Sequence, residues 1–232
     1  MAERPVYLPN ENGFPFVLIE NVVFEWFAGF SVSQKQKSIH ALHDSISDQL
    51  GITNLLEISS KSFNSLGNAL SSFNLKIRTI KRSRVFSVEC AYQASKVFEF
   101  GGPYLDLLDG SSKEAKKDPR LKSSGKLLRF RFYDQEWELE PKTAFYDWLY
   151  LNALKQNLPL GESVLEYSGF TDIEFNPEKS ISCQARSAAL FVSLHKRRLL
   201  EKALSSKEIF LLVTKDAFSD SERKRQSEFS YG

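Results

Sequence analysis

VECAYQASKVFEFGG, residues 88–102, is the stretch on which the reading of this 232-residue chain turns. At helical pitch Glu89, Tyr92, Gln93 and Lys96 fall at i, i+3, i+4 and i+7, one continuous stripe. Cys90, Ala91, Ala94, Val97 and Phe98 fill the adjoining arc with apolar groups, and Gly101, Gly102 and Pro103 follow as helix stoppers. The spacing predicts a helix over 88–100. Its stripe has two readings. A carboxylate, a phenol, an amide and an amine beside a buried-type face are the parts of an active site. An acid near a helix start and a base near its end equally suit a solvated face that follows the helix dipole.

Working outward, the upstream residues read as short elements. Pro5–Leu8 and FVLIENVVFEWF are strand-like, separated by a turn at Asn10–Gly13. Ser31 or Ser33 caps a helix that runs to Leu50 and ends at Gly51. On it His40 and His43 stand one turn apart, but no carboxylate or cysteine cluster accompanies them, so they read as surface or packing residues. LLEIS (55–59) reads as a strand, SFNSLGNAL as a turn of helix, and FNLKIRTI (73–80) as another strand. Between them Ser59, Ser60, Lys61 and Ser62 offer hydroxyl and amide donors after a strand, a place suited to phosphate or ribose oxygens or simply a polar loop.

Downstream, a basic and poorly periodic segment covers 111–126. LLRFRFYDQEWELEP then alternates as a hairpin with its turn at Tyr133–Glu136. TAFYDWLYLNALKQN is an apolar, core-type helix, and a short helix near Glu162–Tyr167 leads to Gly169. FTDIEFNP (170–177) carries Asp172, Glu174 and Asn176, and the next helix, from about Cys183 to Arg197, turns Ala185, Ala188, Ala189 and Val192 inward. KEIFLLV (207–213) is a last apolar element before a small, polar, charge-mixed tail.

Composition bounds the class. Hydrophobic residues make up 42% and charged residues 26%, which is ordinary for a globular chain with a real core. The net charge of +2 conceals a basic middle: residues 76–131 hold 14 Lys and Arg against 6 Asp and Glu, a local +8. Such a span suits an anionic partner, a polyphosphate or nucleic acid, or a solvated surface. No apolar run approaches a membrane span, no signal-peptide pattern opens the chain, and Cys90 and Cys183 form no CxxC. A reduced, cytoplasmic protein without metal or other cofactor is expected. Walker, GxGxxG, GxSxG and HExxH motifs are absent.

Several motifs now align in order. Glu89-x-x-Tyr92-Gln93-Ala94-x-Lys96 resembles the signature helix of the NADAR (YbiA-like) proteins, and LSSFN (70–74) resembles that family's F-S-N-F motif. Trp137 stands where a family tryptophan precedes the next long helix, and FTDIEFNP…CQARSAAL resembles the closing motif. The likeness spans about 55–200. Short family members carry a Trp-Gly pair where this chain has Glu174-Phe175-Asn176 and lack the first fifty residues. The EISSKS and FTDIEFNP wording is closer to a longer branch, the NADAR antitoxins found beside DarT-type ADP-ribosyltransferase toxins.

That resemblance implies a single α+β domain, mainly α-helical with small sheet and hairpin elements. It divides the chain into an N-terminal extension packed on the domain (1–54), a catalytic domain (55–218) and a flexible tail (219–232). It also implies an activity: a glycohydrolase that removes ADP-ribose from guanine bases in DNA, preferably single-stranded, releasing ADP-ribose and opposing a DarT-type toxin. In the implied roles Lys96 is the nucleophile and Glu89 the proton carrier, Tyr92 and Gln93 orient the sugar, and Trp137 stacks on a base or adenine ring. Ser59, Ser60, Lys61, Phe73, Asn74, Asp172, Glu174 and Asn176 complete the substrate-binding set. Two alternatives stand beside it: an N-glycosidase acting on a riboflavin-pathway intermediate, and a non-enzymatic module that binds single strands or sequesters a toxin.

Overall fold

The strand-like opening residues form a hairpin. In the computed structural model, which describes residues 1–79, 84–176 and 183–215, β1 (Ala2–Pro9) pairs antiparallel with β2 (Val17–Phe24), Ala2 opposite Phe24 and Pro9 opposite Val17. Helix α1 (Val32–Leu50) starts at Ser31, whose hydroxyl accepts the Gln34 N–H, and stops at Gly51 with φ 70°. Its Ile39, Leu42 and Ile46 pack on Val6, Val22 and Phe24 of the hairpin.

The chain continues through β3 (Leu55–Glu57), α2 (Ser65–Ala69), β4 (Lys76–Arg78), β5 (Val85–Ser87), α3 (Val88–Ala94) and β6 (Lys96–Phe98). Two short helices, α4 (Ser112–Lys117) and α5 (Arg120–Ser123), occupy the basic segment. The predicted hairpin follows as β7 (Leu127–Phe132) and β8 (Gln135–Trp137), then α6 (Ala144–Gln156), α7 (Leu158–Ser163), β9 (Gly169–Thr171), α8 (Gln184–Lys196) and α9 (Leu200–Ala203). Residues 207–215 are helical. The tail over 219–232 and Pro177 lie outside the described residues.

The result is an α+β fold. Its largest sheet has the order β2-β1-β9-β3, so β1 pairs with a strand from near residue 170. Within it β3 and β9 run parallel, Leu56 opposite Phe170, which requires the intervening chain to cross over before returning. The other sheets are the β4–β5 ribbon and β6-β7-β8. Gly67 of α2 makes one packing possible: a Cβ there would lie 2.0 Å from the Glu57 carbonyl oxygen. The core is filled by α6 and α8, and α8 is buried from Gln184 to Leu194.

One predicted element is corrected. The helix expected over 88–100 ends at Ala94, and Lys96 opens a strand. Ser95 turns its hydroxyl onto the Ala91 carbonyl, and Lys96, Val97 and Phe98 then pair with β7, Lys96 opposite Phe130. A β-branched and an aromatic residue suit a strand as well as a helix, and the open edge of β7 decides between them. Gly101 and Gly102 therefore do not stop a helix. They turn the chain back after β6: Gly102 has φ 84°, and a Cβ there would come within 2.2 Å of the Lys96 carbonyl oxygen.

Candidate active site

Glu89 lies in the first turn of α3, whose cap is the Ser87 hydroxyl accepting from the Cys90 N–H. The residue is only 4% exposed, and a buried carboxylate needs donors. It has them. The Ser72 hydroxyl donates to Oε2 at 3.1 Å, and the Gln93 amide donates to Oε1 at 2.8 Å. The Glu89 N–H in turn donates to the Ser72 carbonyl at 2.9 Å, so 70–74 and α3 grip each other twice. Gln93 is itself buried, and its Oε1 has no hydrogen-bond donor among the described residues.

Lys96 reaches the same place from β6. Its ammonium lies 4.9 Å from the centroid of the Tyr92 ring. That ring is stacked on Phe130 and Phe145 and meets Tyr146 edge-on. Burial pushes the Lys96 pKa below the usual lysine value, Glu89 opposes the shift, and Lys116 reinforces it. Lys116 is exposed and holds its ammonium 5.0 Å over the Phe73 ring. Burial and the nearby Glu89 charge push the Tyr146 phenol well above its ordinary pKa.

A second layer fixes Ser72. The Gln184 carboxamide at the start of α8 accepts the Ser72 N–H at 2.7 Å and donates to the Ile58 carbonyl at 2.7 Å. The Asp172 carboxyl is pushed well up by burial and by Glu57 and Glu174 nearby. Glu57 is likewise raised by burial, yet it accepts from the Thr171 hydroxyl at 2.6 Å and the Ile173 N–H at 2.9 Å. Asp172 accepts the Glu174 and Phe175 N–H groups at 3.0 and 3.1 Å, and burial still pushes its carboxyl up. The Thr171 hydroxyl, having given its hydrogen to Glu57, accepts from His43 at 2.9 Å, and burial lowers the His43 pKa to about 4.

The predicted residues thus separate into groups. Glu89, Gln93, Tyr92 and Lys96 meet at one point, although not on one helix face. Ser60 donates to Glu174 at 3.0 Å, so the 59–61 turn and the 172–176 loop face each other, with Asn176 half-buried beside them. Ser59 is buried, with its hydroxyl accepting the Lys61 N–H, and the Lys61 carbonyl faces Gln36. Asn74 is exposed and bonds Asn68. Trp137 is a correction: at 1% exposure it packs among Phe145, Trp148 and Phe210, a core side chain and not a stacking platform.

Ser72, Tyr146 and Gln184 are the residues that sequence reading passed over. Ser72 lies inside the LSSFN motif and Gln184 inside CQAR, so the motif blocks carried the signal, but nothing in spacing links positions more than a hundred residues apart. Among the described residues no group of three or more His, Cys, Asp or Glu is placed to hold a metal ion, and no helix is long and apolar enough to cross a membrane.

A mainly helical α+β chain with a buried Glu–Gln–Ser cluster facing a desolvated lysine is the class that fold and site define. The model of one family, described as DarT1-associated NADAR antitoxin, matches residues 2–224. The chain belongs to that family. No curated protein matches it.

Proposed function

We propose that the protein is an ADP-ribosyl-guanine glycohydrolase, removing ADP-ribose from guanine bases in DNA and so undoing the work of a DarT-type toxin. The observation that carries this reading is the Lys96 amine. It is partly desolvated on the Tyr92 ring and lies within the field of Glu89, a carboxylate whose both oxygens already accept hydrogen bonds.

Such an amine, once neutral, is a nucleophile for an electrophilic sugar carbon. Neutral Lys96 attacks C1″ of the ribose, and Glu89 takes a proton from its nitrogen as the new bond forms. The bond from C1″ to guanine breaks with its electron pair going to the base, and Glu89 returns the proton to that base. Opening of the sugar ring leaves an imine between C1″ and Lys96, which water hydrolyses to free ADP-ribose and the amine. Gln93 Oε1, buried and without a donor among the described residues, is the acceptor for a sugar hydroxyl. The basic span supplies contacts for pyrophosphate and strand phosphates.

Incubation with DNA carrying ADP-ribosylated guanine tests the reading. Release of ADP-ribose and recovery of unmodified guanine are expected. A protein that binds the DNA and releases nothing would leave a binding or sequestering module in its place.

A further inference from the structure

We propose that the groove between the β4–β5 ribbon and the start of α4 seats the adenosine diphosphate arm of the substrate, with Phe73 as the adenine platform and Lys113 and Lys116 as pyrophosphate contacts. The inference rests on the ADP-ribose reading above and adds the place where the non-reacting half is held.

The groove has a volume of about 480 Å³. That lies within the roughly 300–1,000 Å³ typical of pockets that enclose small molecules. Its floor is apolar, made by Phe86 and Leu108, both buried, and the half-buried Phe73 ring forms a wall. Its rim is cationic. Lys76 and Lys113 are exposed and make no ion pair among the described residues. The acid on the rim, Asp109, is already held by Arg84 at 2.5 Å. An aromatic wall, an apolar floor and free ammonium groups are what a nucleoside phosphate requires.

The position of the groove selects the occupant. Phe73 belongs to both regions: it lines the groove, and Lys116 over its ring also acts on the charge of Lys96. Ser87, in the groove wall, caps the helix that carries Glu89 two residues later. A cation therefore stands between the groove and the attacking amine, where a pyrophosphate joining adenosine to the reacting ribose would pass.

Binding to the full chain, measured by calorimetry, tests the assignment without relying on turnover. The probes are ADP-ribose, AMP, ribose 5-phosphate and an unmodified single-stranded oligodeoxynucleotide. AMP is expected to bind and to compete with ADP-ribose. Phe73→Ala should weaken both by about tenfold or more, the size of a lost base–aromatic stack. Lys113→Glu, on an exposed side chain that the fold does not need, should weaken both as well, while Phe73→Ala leaves ribose 5-phosphate binding as before. If ADP-ribose binds but AMP binding is indifferent to both variants, the subsite is wrong and the reaction reading stands. A loss confined to the oligonucleotide gives the groove to the strand and also overturns the assignment. Failure of the wild-type protein to bind ADP-ribose defeats both.

Discussion

The Lys96 ammonium rests 4.9 Å over the Tyr92 ring, and the two residues come from different elements, Tyr92 from α3 and Lys96 from β6. Because Ser95 ends the helix between them, the amine folds back over the helix instead of extending along it. Burial takes water from the ammonium, and the ring's quadrupole together with the Glu89 charge gives back only part of that stabilisation. The balance leaves Lys96 with a pKa below the usual lysine value, with Lys116 adding to the shift.

Lys96→Arg keeps the charge but cannot lose a proton at working pH. Binding of ADP-ribose should persist and turnover should fall by about 10³-fold or more, as for a lost nucleophile. Borohydride added during turnover should trap an adduct on Lys96 of the wild-type protein, found by peptide mass. An active Lys96→Arg variant would sink the imine mechanism.

Ser72→Ala removes the donor to Glu89 Oε2 while leaving the backbone bonds of Ser72 in place. A hydrogen bond to a charged group is worth enough to lower kcat by about tenfold to a hundredfold. KM should change little, and Ser72→Thr should restore most of the rate. Equal melting losses in both variants with kcat untouched would make Ser72 a structural residue only.

The pH dependence has a defined sign. The amine reacts only when deprotonated, so kcat/KM should rise with pH along a limb centred below the ordinary lysine value, because burial lowers the Lys96 pKa. Lys116 pushes in the same direction, as the weakest of the three influences, so Lys116→Ala should move the limb slightly upward. A limb that moves downward, measured in pH–rate profiles of the two proteins, contradicts the arrangement.

Asp172 makes a stability prediction. Its folded pKa is raised well above 3.8 by burial, then by Glu57 and Glu174, so the folded state keeps a proton that the unfolded chain loses. The contribution is favourable below the unfolded pKa and is lost as pH rises through the folded one. Asp172→Asn should therefore raise the melting temperature at pH 8, by the equivalent of about 0.5–2 kcal/mol. The difference should vanish near pH 4, and a variant equally destabilised at both pH values refutes the proton on Asp172.

Local rules carried the sequence reading a long way. Ser31 and Gly51 bound α1 because capping is a property of neighbouring residues, and the alternation in LLRFRFYDQEW survives as β7 and β8. The reading failed at Lys96-Val97-Phe98, where helix and strand periods both fit and only the edge of β7, some thirty residues later, decides. Trp137 misled for a related reason: an aromatic beside a functional motif looks the same in sequence whether it faces a ligand or Phe210. Glu89, Gln93 and Lys96 were legible through their motif. Ser72 and Gln184 were not, because their roles exist only in the contact between distant segments.

The Gln184 carboxamide that ties Ser72 to the Ile58 carbonyl also sets a clock on synthesis. A nascent chain has Glu89, Lys96 and Ser72 long before it has Gln184, and until α8 emerges the Ser72 N–H and the Ile58 carbonyl lack the partner that joins them. At about 5–20 residues per second a ribosome needs roughly 10–40 s to reach that position. A product truncated before α8 would hold both proposed catalytic side chains without the link that fixes Ser72 beside them.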